Sequence, residues 1–110
     1  MKLIFAIIQN DDSKKLIRAL NKERISVTKI ASTGGFLSGG NTTLMIGVEN
    51  EKVDLTLEVI KRESSKRKET VVVPSTAMPG YADTTPVPMQ VTLGGATVFV
   101  IDVENNYKFW

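Results

Sequence analysis

The sequence contains neither cysteine nor histidine. Disulfides, thiolate nucleophiles, imidazole bases and the usual zinc ligand sets each need one or both, so those chemistries are closed to it. Long apolar runs are missing too. The opening MKLIFAIIQNDD holds an uninterrupted apolar stretch of six residues, Leu3 to Ile8, where a membrane-spanning helix needs about 20. It also lacks the small-residue cleavage site of a secretory signal. The expectation is a soluble, cytoplasmic chain with no membrane insertion.

A strong excess of one charge is absent as well: 14 Lys and Arg stand against 12 Asp and Glu, for a net charge of +2. The surplus is local. Residues 1–69 carry 13 basic and 9 acidic side chains, while residues 70–110 carry Lys108 against Asp83, Asp102 and Glu104. Only Lys61 to Glu69 (KRESSKRKE) is dense in bases. It reads as a solvated helix end and not as the wide basic face that nucleic-acid binding requires. Nucleic acid is therefore not expected as a partner.

What is present is enough for a single domain spanning 1–110, since domains run about 100 to 200 residues. Leu3–Gln9 is a continuous apolar run that suits a strand buried on both faces. Asp12 to Glu23 follows as an amphipathic helix with Leu16, Ile17 and Leu20 on one stripe, and Asp12 or Ser13 as its N-cap. Asp11 and Asp12 read as helix-start acids and not as a metal pair. Ile25–Thr33 and Asn41–Glu49 are β-rich strands separated by a glycine-rich link. Glu51 to about Ser64 reads as a second helix capped by Asn50, with Val53, Leu57 and Ile60 in one stripe.

After Lys68 come a short β-branched run, Thr70–Val73, and a segment 74–88 that holds all four prolines and reads as a loop. Met89 to Val103 reads as a strand pair or one bent strand, broken at Gly94-Gly95. The order β-α-β-β-α-β is the ferredoxin-like split βαβ: an α+β fold with an antiparallel sheet and both helices on one face. A strand that is apolar on both faces needs a cover for the second one, so self-association is expected.

The densest chemistry lies in Thr28 to Thr43, TKIASTGGFLSGGNTT. Glycines let backbone N–H groups approach an anion, and hydroxyls add further donors. Gly35 and Gly40 have the spacing of a P-loop, but Asn41 replaces its lysine and no helix follows, so nucleoside-triphosphate hydrolysis is not supported. Phe36 and Leu37 at the tip are costly to expose unless they stack on something. A base suits Phe36, and the Asn41 amide can read an adenine edge. The alternative is a hairpin tip in which the glycines only permit the turn. Gly94 and Gly95 similarly either bend the sheet or leave bare backbone for a ligand. No nucleophile-base pair or metal set is visible, so an enzyme is not expected, and neither is a metal or other cofactor.

These residues resemble a known family. KLIFAIIQNDDS, TKIASTGGFLSGGNTTLMIGVE and VTLGGATVFVIDV together are similar to the PII-like cyclic-di-AMP receptor proteins of Gram-positive bacteria, over essentially the whole chain. The resemblance implies a homotrimer of ferredoxin-like subunits that binds one cyclic-di-AMP in each cleft between subunits. It implies a receptor without catalytic activity that relays occupancy through its loops to a protein target not identifiable from sequence.

Carried onto this chain, Thr28, Gly35, Phe36 and Leu37 would contact the phosphates and one base. Asn41 would recognise an adenine, Gly47 would lie beside that base, and Gly94 and Gly95 would line the cleft. Ser26 stands at a ligand-facing position where the family often has Arg, and no basic residue precedes Asn41 in Ser38-Gly39-Gly40. Both departures reduce the positive charge offered to the ligand. The competing reading is a PII-type regulator that binds ATP or ADP, or no nucleotide, and acts by docking a target protein. The absence of any basic residue from Gly34 to Thr43 weighs against ATP.

Overall fold

The computed structural model describes residues 1–33, 40–73 and 86–110, together with all their side chains except those of 31–33 and 73. Strand β1 (Lys2–Gln9) leads into helix α1 (Asn10–Lys22), then β2 (Thr28–Thr33) and β3 (Asn41–Val48). A single 3-10 turn (Asn50–Lys52) precedes α2 (Val53–Ser64), and β4 (Arg67–Val73), β5 (Val87–Leu93) and β6 (Ala96–Asp102) complete the chain. The main sheet has the order β2-β3-β1-β6, and all its neighbours run antiparallel. This order is compatible with the ferredoxin-like fold, with β6 as its last strand and β4–β5 inserted before it as a separate two-stranded ribbon.

Period-two alternation decides what the sheet buries. Ile4, Ala6 and Ile8 of β1 and Leu44, Ile46 and Val48 of β3 form one buried cluster with Leu16 and Leu20 of α1 and Val59 and Ile60 of α2. The odd-numbered residues lie on the opposite face. Register aligns Leu3 with Ile101, and Phe5 with both Phe99 and Met45. Within one chain this second face stays open: Ile7 is 36% exposed, Phe99 53% and Ile101 46%. The expected burial of β1 on both faces is thus met on one face only, because both helices pack on the same side.

The helix starts differ from the sequence reading. α1 begins at Asn10 after Gln9, without a side-chain cap. Asp12 lies inside its first turn, buried at 1% exposure. It does not cap because its carboxylate is engaged by Arg67, with Nη2 at 2.9 Å and Nη1 at 3.3 Å. Asn50 makes no cap hydrogen bond either, and the α-helix proper starts at Val53.

The basic run also divides. The helix ends at Ser64, and Arg67 to Glu69 belong to β4. The proline-rich segment is shorter than expected at its far end, since Val87 and Pro88 are strand residues paired with Val73 and Val72. Both strands of a two-stranded ribbon are edges, where a missing N–H is tolerated. Residues 74–85 lie outside the described residues. Gly94-Gly95 is neither a bulge nor a bend in one strand, because β5 pairs with β4 and β6 pairs with β1. The pair marks the passage of the chain from one sheet to another.

Candidate functional site

Two groups of the expected site residues fall at opposite ends of β3. At its start, Asn41 pairs across the ladder with Gln9 of β1. Gln9 closes the apolar run of β1, and its Oε1 accepts the Gly94 N–H at 2.6 Å. Gly95 N–H donates to the Ser64 carbonyl at 2.6 Å. The Asn10 N–H donates to the Gly40 carbonyl at 3.1 Å, and the buried Thr42 hydroxyl donates to the Asn10 side-chain carbonyl. Gly40 is in the left-handed region at φ 69°, a conformation that glycine adopts without strain. These bonds tie the start of β3, the end of β1 and the β5–β6 junction together. Ile7, Gln9, Asn41, Gly94, Gly95 and Thr97 line a cavity of about 310 Å³ there, and none of the described residues in its wall is charged. An amide, a glutamine and bare glycine backbone suit the edge and face of a neutral base.

Gly94 and Gly95 have backbone angles of φ +82° and +108°. A Cβ at Gly94 would overlap the Ser65 carbonyl oxygen and the Arg67 guanidinium, whereas one at Gly95 would meet open space. Arg67 explains the tight packing: it bridges Asp12 of α1 and Glu69 of its own strand, the latter at 3.2 Å. The hydrogen bond to Asp12 raises the Arg67 pKa, against the opposing effect of burial. With its carboxylate taken up in this way, Asp12 is not half of a metal pair. Among the described residues, no group of metal-ligating side chains comes together.

At the other end, Ser26 and Gly47 share a second cavity of about 330 Å³ with Arg24, Glu49, Lys52 and Lys108. Thr28 lies between the two ends, opposite Met45 in the β2–β3 ladder. Asn41 and Gly47 are six residue steps apart along one strand, which is ~20 Å. A single chain therefore does not gather all the expected residues into one pocket. Gly35, Phe36 and Leu37 lie outside the described residues. Gln9, Arg24, Lys52 and Lys108 are lining residues that sequence reading does not single out. Gln9, the polar end of an apolar run, is the one with a visible signal.

A family model described as "Cyclic-di-AMP receptor" matches residues 1–109, and the chain belongs to that family. Among solved structures, a functionally unknown protein from Pediococcus pentosaceus is 38% identical, with a TM-score of 0.77 over 98% of this chain and 96% of that one. No helix among the described residues is long and apolar enough to cross a membrane.

Proposed function

We propose that the chain is one PII-like domain that assembles as a cytoplasmic homotrimer, binds cyclic-di-AMP in the clefts between subunits, and relays occupancy to a protein target through its loops without catalysing a reaction. The observation that carries this reading is the splitting of the site. The neutral Asn41–Gly94 cavity and the charged Ser26–Gly47 cavity each present a few ligand-type groups, and neighbouring copies would bring one against the other. The open face bearing Phe5, Ile7, Phe99 and Ile101 is the surface through which copies would meet. Phe36 would stack on a base brought to the Asn41 cavity, with Thr28, Gly35 and Leu37 on its phosphates. Asn41, Gly94 and Gly95 supply the base-facing wall.

The test is a titration of the whole protein with cyclic-di-AMP, with ATP as competitor. Saturable binding that ATP does not displace supports the reading. Binding of ATP in place of the cyclic dinucleotide favours a PII-type nucleotide sensor instead.

A further inference from the structure

Resting on that receptor reading, we infer that Arg24 is the principal charged contact to the ligand's phosphodiester, with Lys52 and Lys108 completing a cationic wall around Ser26 and Gly47. A cyclic dinucleotide carries two diester charges, and the places first expected to hold them offer no cation. Residues 34–43 contain no basic side chain, and none of the described residues lining the Asn41 cavity is charged. The cavity at the far end of β3 is different. Among the described residues, Arg24, Lys52 and Lys108 face it against one carboxylate, Glu49, and its volume of about 330 Å³ falls in the range of ligand pockets, about 300 to 1,000 Å³.

Backbone geometry singles out Arg24 among the three. It sits one residue past Glu23, the C-cap of α1, at φ 60°, where glycine or asparagine is the usual choice. Arg24 N–H donates to the Asn21 carbonyl and Ile25 N–H to the Leu20 carbonyl, both at 3.0 Å. This closes the helix end in the double hydrogen-bond pattern that normally calls for glycine. Ile25 is anchored in the core at 2% exposure, so the backbone beneath Arg24 is pinned from both sides.

An arginine kept in a left-handed position points to a job for its side chain, since the turn itself would be better served by glycine. Among the described residues the guanidinium enters no ion pair, which leaves its donors for an anion. Its planar fork matches two phosphate oxygens. Lys52 is held at the cavity edge by its contact with the Glu23 carbonyl at 3.4 Å.

The experiment is isothermal titration of cyclic-di-AMP into the full-length wild type and the Arg24→Gly, Arg24→Lys and Arg18→Ala variants, with thermal melts of each. Glycine relieves the left-handed strain, so Arg24→Gly should melt at the wild-type temperature or above it. It should nevertheless bind about ten- to a hundredfold more weakly, the loss expected for a hydrogen bond to a charged group. Its affinity should also depend less steeply on salt, and Arg24→Lys should recover part of the loss. Arg18→Ala removes the same charge from the exposed side of α1 and should leave affinity unchanged. An Arg24→Gly variant that binds within about twofold of a binding wild type overturns the inference and leaves the receptor reading intact. A wild type that does not bind overturns both.

Discussion

Removing the Arg67 guanidinium would leave the Asp12 carboxylate buried at 1% exposure without its two strongest donors. Breaking a buried pair from one side is costly because it strands a desolvated charge. Arg67 keeps about a third of its side chain in solvent, and Lys15 Nζ lies 3.9 Å from Asp12, so the loss should be about 2 to 3 kcal/mol, below that of a wholly buried pair. Denaturant midpoints should show it for Arg67→Met, and Asp12→Asn/Arg67→Met should recover part of it. A wild-type midpoint for Arg67→Met would mean that the pair contributes nothing.

Asn41 belongs to the same scale. Its amide is half-buried at a ladder position where the backbone holds the strand, so Asn41→Ala should keep its melting temperature while losing about tenfold in cyclic-di-AMP affinity, the worth of a hydrogen bond or two. Asn41 is legible in the sequence as an amide next to a glycine pair. The Asp12–Arg67 pair is not, because it spans 55 positions and nothing local links a helix-start acid to a base in a run that looks like a helix tail.

Among elements, the junction at Gly94-Gly95 controls how the β4–β5 ribbon meets the main sheet. Both residues have a positive φ, which by itself costs a side chain about 1 to 3 kcal/mol. Gly94 carries the further clash with the Ser65 carbonyl, while Gly95 faces open space. Gly94→Ala should therefore lower the unfolding midpoint clearly more than Gly95→Ala, and equal losses would show that the close approach does not matter.

The same junction marks where sequence reading stops. β1, β3 and both helices announce themselves because each alternates or repeats against a buried face: Ile4, Ala6 and Ile8 in the strand, Leu16 and Leu20 in the helix. The ribbon buries little on either side. Val87, Met89, Val91 and Leu93 alternate along β5 and Thr70–Val73 is β-branched, so parts of both strands are legible. Arg67, Lys68 and Glu69 at one end, however, read as a helix tail and Pro88 at the other as loop, which hides how the two strands pair. The gathering of Gln9, Asn41 and Gly94 depends on that ribbon's placement and is hidden with it.

For the whole molecule, the open face of the main sheet is the feature that one chain cannot account for alone. Met45, Phe5 and Phe99 align across three neighbouring strands, a continuous apolar surface of the kind that marks an interaction site. On the trimer reading, Phe99→Glu should convert a sedimenting trimer to monomers and abolish cyclic-di-AMP binding with it, because the two half-sites would no longer meet. A monomeric variant with undiminished affinity would place the whole site within one chain.

Whether the protein holds cyclic-di-AMP is decided by calorimetric titration of the intact protein with that ligand. Saturable binding that approaches one ligand per subunit is expected of a receptor. The absence of both heat and saturation up to about 100 μM would contradict it.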